Sequence, residues 1–207
     1  MRTRCIAMTA GLVLAMCASA AFAATIAGTN GSDTLFGTTG KDTINAKGGT
    51  DIVVGLSGDD HLIGGSGGDS IQGDATCPAG ATVPDECNQT RGSGNDTIEG
   101  NAGDDVIAGG RGHDRISGAA GVDNIQGGSG NDTISAGSGD DTVYGQAGND
   151  HITAGPGRDT VIAAAGNDTI YVRDNTRDRA DCGTGRDTAF VDRGDTVNRN
   201  CERVLRR

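Results

Sequence analysis

Aspartates recur at a nine-residue interval through most of this 207-residue chain. A glycine lies two residues before each of fourteen such aspartates, and an aliphatic residue, Val or Ile in twelve cases, lies two residues after. Three fixed positions kept in phase over fourteen copies identify an internal repeat, whereas a single Gly-x-Asp would carry no information. The fourteen aspartates are Asp33, Asp42, Asp51, Asp60, Asp69, Asp96, Asp105, Asp114, Asp123, Asp132, Asp141, Asp150, Asp159 and Asp168.

The composition excludes an ordinary globular core. The chain contains 37 Gly and no Trp, and only 2% of its residues are aromatic. Leu, Ile, Val and Phe together make up roughly 17% of the residues. A chain with less than about 20% of these residues usually cannot bury an ordinary core. A disordered chain, a low-complexity linker and a repeat architecture with a thin linear core remain. The constant phase of the repeat favours the third.

Each nine-residue unit predicts a turn followed by a short strand. The glycine-rich half can adopt positive φ angles and turn sharply. The half after the aspartate, such as Thr-Ile-Glu at 97–99, predicts a three-residue strand with its aliphatic side chain turned inward. Two units then close one coil of eighteen residues. Stacked coils place the aliphatic side chains in a ladder, which supplies the thin core that the composition allows.

Stacking also aligns the acidic side chains. Residues 24–172 contain 21 acidic and 6 basic residues, and aspartates eighteen residues apart fall into two columns. Neighbours roughly 5 Å apart repel by about 3 kcal/mol at an effective dielectric constant of 20, which over two columns exceeds the stability of a typical domain. The stack therefore needs a divalent cation. Carboxylate and carbonyl oxygens suit a hard ion, calcium rather than magnesium outside a cell.

The net charge of −11 also limits the partners of the chain. It argues against nucleic acid and anionic membranes, and for cations.

The repeat unit resembles the Gly-Gly-x-Gly-x-Asp-x-aliphatic-x nonapeptide of the repeats-in-toxin, or haemolysin-type, calcium-binding family. The resemblance covers about residues 28–171, and its cleanest copy is Gly-Gly-Ser-Gly-Gly-Asp-Ser-Ile-Gln at 64–72. It implies an all-β fold, a right-handed parallel β-roll with two nonapeptides per coil. It also implies that the fourteen aspartates and backbone carbonyls hold Ca²⁺ in successive turns.

One ion for each neighbouring pair in an uninterrupted column gives about ten calcium ions. The first glycine of the motif is replaced in five units, which leaves the geometry of those turns open. The replacing residues are Ala46, Ala136, Ala154, Ala163 and Arg91.

The amino terminus predicts a targeting segment. A short basic stretch is followed by a nearly continuous apolar run from Cys5 to Phe22, which ends in Ala21-Phe22-Ala23. This pattern indicates a Sec signal peptide over residues 1–23, with an uncleaved membrane anchor as the alternative. We therefore expect a secreted chain that has no membrane segment after cleavage.

The repeat lapses between its two blocks, which span residues 24–72 and 91–171. Asp69 and Asp96 are 27 residues apart, three periods, so an irregular coil or a looped-out segment keeps the columns in register. The insert, residues 73–90, contains Cys77 and Cys87, ten residues apart. In an exported protein this pair predicts a disulfide.

Residues 172–207 predict a C-terminal cap. A partial unit runs from Cys182 to Asp187, and Cys201 lies nineteen residues beyond Cys182. A disulfide between these two cysteines would stabilise the last coil, which an open solenoid must cover. Whether Asp187 is a further calcium ligand is left open. Nine arginines among seven acids indicate a solvated surface, with contact to a polyanion as the alternative.

No residues fall into a catalytic pattern. His61, His113 and His151 are far apart in sequence, and none lies in a His-Glu-x-x-His motif. No Gly-x-Ser-x-Gly elbow precedes a segment long enough for a helix. We predict a secreted bacterial calcium-binding protein, not an enzyme, that is disordered without calcium and folds on binding it. The alternatives are an extracellular structural or adhesive protein that uses the rigid roll as a scaffold, and the accessory roll of an extracellular enzyme. No other partner and no oligomeric state follows from the residues.

Overall fold

The computed structural model describes residues 23–74 and 93–207, which form nineteen β-strands and no helix. The first sheet contains ten strands, β1 (Thr25–Ala27), β3 (Thr43–Gly48), β5 (His61–Ser66), β7 (Thr97–Ala102), β9 (Arg115–Ala120), β11 (Thr133–Ser138), β13 (His151–Thr153), β15 (Thr169–Tyr171), β17 (Thr188–Val191) and β19 (Arg203–Arg206). The second contains nine strands, β2 (Thr34–Phe36), β4 (Ile52–Leu56), β6 (Ser70–Asp74), β8 (Val106–Arg111), β10 (Asn124–Ser129), β12 (Thr142–Ala147), β14 (Thr160–Ala165), β16 (Arg179–Asp181) and β18 (Thr196–Val197).

Successive strands alternate between the two sheets, and every pairing within a sheet is parallel. The register follows the repeat, since Ile125 lies opposite Ile107 on one side and Val143 on the other, each eighteen residues away. The chain is therefore a parallel β-solenoid of about nine turns. The predicted all-β roll with two units in each coil is confirmed.

The core is a ladder of the aliphatic residues that follow the repeat aspartates. All fourteen are at most 3% exposed and lie between the two sheets. Along each strand the burial alternates, as in β10, where Ile125 is buried between the exposed Asn124 and Gln126. Period-two alternation thus puts one branched side chain per unit inside, and burying such a side chain stabilises by about 1.5–3 kcal/mol.

The fixed glycine two residues before each aspartate has a steric cause in the stack. Gly121 has a φ of +141°, and a Cβ added there would lie 1.9 Å from the carbonyl oxygen of Gly103, one coil earlier. Gly139 repeats this contact on Gly121 at 1.7 Å. A side chain at this position would therefore both strain the backbone and push the coils apart.

The coils on either side of the sequence lapse are in direct contact. Strand β5 pairs with β7 and β6 pairs with β8, so residues 36 apart in sequence become neighbours. Among the described residues, no further coil separates β5 from β7 or β6 from β8. The repeat also continues through Asp74, which ends β6. The predicted Cys77–Cys87 disulfide lies outside the described residues, as does the signal peptide except for Ala23.

At the C-terminal end, β16 to β19 extend both sheets beyond the last nonapeptide. The predicted disulfide between Cys182 and Cys201 is present, and both cysteines are buried. In the described part of the chain, no helix is long and apolar enough to cross a membrane.

Removing this disulfide is expected to destabilise the folded chain. Replacing Cys182 and Cys201 by alanine opens a loop of nineteen residues in the unfolded state and should lower the free energy of unfolding by about 3 kcal/mol. Urea unfolding of the calcium-loaded double variant, compared with the oxidised parent, measures the difference. A free energy of unfolding within experimental error of the parent's would contradict this role.

Candidate metal centres

The structure places all fourteen predicted aspartates in two columns, at the ends of the turns that lead into the strands. Each of these side chains is at most 3% exposed. One column contains Asp33, Asp51, Asp69, Asp105, Asp123, Asp141 and Asp159. The other contains Asp42, Asp60, Asp96, Asp114, Asp132, Asp150 and Asp168. Both columns run without a break across the gap in the described sequence.

One oxygen along each column is used to join the coils. The backbone N–H of each of the fourteen aspartates donates to Oδ1 of the next aspartate in its column, at 2.7–2.9 Å. For Asp105 the acceptor is Asp123, and for Asp123 it is Asp141. The short distances are typical of hydrogen bonds to charged acceptors. Oδ1 is therefore committed to holding the stack together.

The second oxygen has no donor. In twelve of the fourteen aspartates Oδ2 is buried without any hydrogen-bond partner. In the unit of Asp105, a Cβ added to Gly100 would lie 2.3 Å from Asp105 Oδ2 and 3.0 Å from the carbonyl oxygen of Gly118 in the next coil. The missing side chain thus leaves a cradle between two oxygens of successive coils.

This cradle recurs in most of the repeat units. Ten glycines have the same two neighbours, an aspartate Oδ2 and a carbonyl oxygen of the next coil, each within 3.0 Å of the added Cβ. They are Gly28, Gly37, Gly55, Gly64, Gly73, Gly100, Gly109, Gly118, Gly127 and Gly145. The remaining four units have Ala46, Ala136, Ala154 and Ala163 at this position. Those four alanines narrow the space beside the carboxylate.

Burial makes the ionised carboxylates costly. It raises the pKa of Asp60 to about 8, and the pKa values of Asp96, Asp105 and Asp159 to about 7. Negative neighbours in the same column add to the rise, as Asp96 does for Asp60. The pKa values that rise to about 6 for the same reasons are those of Asp114, Asp132, Asp141, Asp150 and Asp168. Ionising these carboxylates at neutral pH is therefore unfavourable unless a cation compensates their charge.

The chemistry of the donor set fits calcium. Each cradle offers carboxylate and backbone carbonyl oxygens, which a hard cation such as Ca²⁺ binds in flexible geometry. Within the described ranges, no three His, Cys, Asp or Glu side chains converge into a metal-binding group. The ligands of each candidate site therefore come from one or two carboxylates and from carbonyls of successive coils, as the stacked turns supply them.

The first two units differ from the rest. Asp33 Oδ2 accepts the N–H of Thr29 at 2.6 Å and its hydroxyl at 3.0 Å. Asp42 Oδ2 likewise accepts the N–H and hydroxyl of Thr38. These two aspartates stand in the predicted columns, but protein donors already occupy the oxygen that the other units leave unpartnered.

Four further acids continue the columns, of which sequence reasoning left one open and missed three. The N–H of Asp159 donates to Asp178 Oδ1 at 2.8 Å, and that of Asp168 to Asp187 Oδ1 at 2.7 Å. Oδ2 is buried and unpartnered in both. Asp195 and Glu202 then end the two columns by accepting the N–H groups of Asp178 and Asp187. At Asp178 and Asp195 the sequence retains only the Asp-x-aliphatic half of the repeat unit. This half is the sequence feature from which the two acids could have been predicted.

The residues that fill the first two positions in the unit of Asp96 also differ from those that sequence spacing predicts. Sequence spacing predicts Arg91 and Gly92 at its first two positions, and both lie outside the described residues. An added Cβ on Gly73 lies 2.2 Å from Asp96 Oδ2, so Gly73 is the first residue and Asp74 the second. The third is Ser93, because eighteen residues of sequence, 75–92, separate the two parts of one nonapeptide.

The fold and these repeated oxygen sites define a class of protein, the parallel β-solenoid with rows of oxygen ligands between its coils. Comparison with family models finds the RTX calcium-binding nonapeptide repeat at residues 27–62, 54–75, 90–125, 117–152 and 144–174. The chain belongs to this family, and calcium binding follows from membership. No match was found among curated proteins.

Proposed function

We propose that this chain is an exported protein that folds outside the cell by binding calcium between successive coils. The unpartnered Oδ2 atoms of the aspartate columns support this proposal most directly. Burying an ionised oxygen without a partner is strongly unfavourable, and a repeated cost of this kind implies a repeated ligand. The fourteen repeat aspartates are the proposed side-chain ligands, with the carbonyls of the first position in the next coil.

In twelve of the fourteen repeat carboxylates, the two oxygens have different roles. Oδ1 accepts an N–H from the preceding coil and fixes the orientation of the side chain. That orientation leaves Oδ2 directed at the cradle, where the next coil presents a carbonyl oxygen. Bound calcium supplies positive charge that offsets the repulsion within a column. Because the ligands of one site come from two coils, binding and stacking stabilise each other.

Export is proposed from the N-terminal sequence. Residues 1–23 have the basic, apolar and small-residue regions of a Sec signal peptide. RTX repeats are typical of extracellular proteins, where calcium is abundant. In this proposal the chain crosses the membrane unfolded and calcium-poor, and the folded roll then serves as a rigid scaffold outside the cell.

Calcium stoichiometry tests the proposal. Equilibrium dialysis of residues 24–207 in millimolar calcium, followed by elemental analysis, is expected to find about ten ions per chain, one for each neighbouring pair of column aspartates within the two blocks of the repeat. Asp105→Asn should reduce the number bound because it removes charge from the buried Oδ2. Asp104→Asn is the matched control, since Asp104 is exposed and its Oδ1 accepts only the N–H of Val122 at 2.8 Å.

The two variants differ by one position and remove the same charge. Equal stoichiometry in Asp105→Asn and Asp104→Asn would show that the buried column does not ligate calcium. A parent chain that binds no calcium at all would overturn the whole proposal.

A further inference from the structure

Asp74 places a carboxylate where no other repeat unit has one. It occupies the second position of the unit of Asp96, and the other thirteen units contain no acid at that position. Their residues four before the aspartate include Thr29, Leu56 and Ala119. The side chain of Asp74 therefore adds a charge to one turn of the column, beyond the charge that the repeat itself provides.

The contacts of Asp74 leave one of its oxygens without a partner. Oδ2 accepts the N–H of Gly94 in its own turn at 3.0 Å and the N–H of Arg111 in the next coil at 3.0 Å. These two bonds join the coils and fix the orientation of the carboxylate. Oδ1 is buried and accepts no hydrogen bond. A fixed, buried carboxylate oxygen without a donor is the feature that the column aspartates also show.

The oxygen of Asp96 points into the same turn. Asp96 is 1% exposed, and its Oδ2 is buried and unpartnered. It lies 2.2 Å from the Cβ position of Gly73, the residue directly before Asp74, and the carbonyl oxygen of Gly109 lies 2.4 Å from that same position. Among the charges acting on Asp96, that of Asp74 is the largest, ahead of the column neighbour Asp114. Asp74 is therefore close to this cradle.

Asp174 shows that an extra acid in a turn does not by itself leave an unpartnered oxygen. It lies four residues before Asp178, where it is placed much as Asp74 is in the unit of Asp96. Its Oδ1 accepts the N–H of Thr176 at 2.7 Å, and its Oδ2 accepts the N–H of Gly157 at 3.0 Å. The hydroxyl of Thr176 contacts both oxygens. Asp174 is satisfied by the protein, whereas Asp74 is not.

We propose that Asp74 Oδ1 is a ligand of the calcium ion bound beside Asp96, so that two carboxylates and the Gly109 carbonyl meet at one site. This inference rests on the proposed function, because it assigns an extra ligand to one of its calcium sites. Ligand charge is one of the properties that tune calcium affinity. The Asp96 site is therefore the tightest of its column, with a dissociation constant at least tenfold below those of sites with one carboxylate fewer.

The test is a set of crystal structures of the full chain with calcium bound. In the parent, Asp74 Oδ1 is expected within the calcium coordination distance of about 2.3–2.6 Å from the ion beside Asp96. Equilibrating the crystals at a series of chelator-buffered calcium concentrations then gives the occupancy of each ion while the lattice keeps the chain folded. The ion beside Asp96 is expected to remain occupied at the lowest calcium concentration.

Asp74→Asn retains an acceptor for the N–H groups of Gly94 and Arg111 but removes the charge. It should raise the dissociation constant of the ion beside Asp96 at least tenfold. Asp59→Asn is the matched control. Asp59 is exposed, its Oδ1 accepts the N–H of Asn95 at 2.9 Å, and its charge also acts on Asp96. The control should leave the occupancy of this ion close to that of the parent.

An ion beside Asp96 with Asp74 Oδ1 outside its coordination shell would overturn the inference, as would equal weakening in Asp74→Asn and Asp59→Asn. If Asp74→Asn fails to fold, the distance in the parent crystal alone decides. If calcium ions occupy the other cradles but Asp74 ligates none of them, the inference is refuted and the proposed function stands. A parent chain with no ion in either column would refute the proposed function itself.

Discussion

At pH 7 in a chelator, residues 24–207 are expected to lack β structure, and millimolar calcium is expected to restore it in one cooperative transition. The reason is the number of buried carboxylates that no protein group neutralises. Oδ2 is unpartnered in twelve of the repeat aspartates and in Asp178 and Asp187. Among the described residues, the contact found within 4.0 Å between a basic and an acidic side chain joins His61 and Glu99 at 3.7 Å, not a column aspartate.

The magnitude of the effect follows from the pKa values. Burial, with the neighbouring charges, raises the pKa of Asp60 from 3.8 to about 8 and that of Asp105 to about 7. Each tenfold change in proton affinity corresponds to roughly 1.4 kcal/mol. This cost of ionisation recurs along both columns, against a stability of only about 5–15 kcal/mol for a typical domain. The calcium-free stack should therefore unfold.

Calcium reverses this balance through linkage. An ion that binds only the folded chain stabilises it by about 2.7 kcal/mol per site at a hundredfold excess over the dissociation constant. Sites shared between coils couple each ion to its neighbours, so the transition should be steep. Far-ultraviolet circular dichroism during a calcium titration, with magnesium as the control, measures it. A chain that is folded in chelator at pH 7, or still disordered in millimolar calcium, would contradict the mechanism.

The nine-residue period was enough to predict the core and both columns. A solenoid has one residue per unit at each place in its cross-section, so phase in sequence becomes position in space. Ile125 and Asp123 are therefore buried where the period puts them. The glycine two residues before each aspartate was visible in the sequence. The reason for it was not, because the contact of Gly121 with Gly103 spans eighteen residues.

The nine-residue period gave a wrong prediction where residues adjacent in a repeat unit are not adjacent in sequence. Counting back from Asp96 gives Arg91 and Gly92, but the strand pairing gives Gly73 and Asp74. Since the interruption is eighteen residues long, a whole number of units, sequence spacing alone cannot reveal where it begins. Its position inside one nonapeptide is set by pairing between coils.

Three of the four C-terminal acids were missed for a different reason, and Asp187 was left open. Asp178 lies ten residues after Asp168, Asp187 lies nine residues after Asp178, and Asp195 lies eight residues after Asp187. Asp178 also has Thr176 in place of the fixed glycine. Each still donates to or accepts from its column neighbour, because the backbone hydrogen bonds between coils tolerate longer and shorter turns. At the other end, Thr29 supplies donors to Asp33 that no spacing rule contains.

Lowering the pH without calcium is expected to restore part of the β structure that calcium restores at pH 7. Burial raises the pKa of Asp132 from the unfolded value of 3.8 to about 6 and that of Asp96 to about 7. Between about pH 4 and pH 7 the folded chain then binds more protons than the unfolded chain. Stability is therefore fully present below the unfolded pKa and is lost as the pH rises through the folded values.

The geometry gives the proton a place to bind. In the unit of Asp123, Oδ2 and the carbonyl oxygen of Ala136 in the next coil lie 2.3 and 2.5 Å from the Cβ position of Gly118. A protonated Oδ2 becomes a hydrogen-bond donor, and the carbonyl oxygen beside the same position is an acceptor for it that needs no metal ion. Calcium and protons therefore compete for the same oxygen, and acid should release bound calcium while the stack keeps its coils together.

Circular dichroism of the calcium-stripped chain at pH 7 and pH 4.5, at low protein concentration, measures the effect. The sequence isoelectric point is about 4.5, so sedimentation must show that the chain remains monomeric there. Adding calcium at pH 4.5 should change the signal far less than at pH 7, because protons already occupy the carboxylates. A calcium-free chain equally disordered at both pH values would show that the cost of the ionised columns does not govern folding.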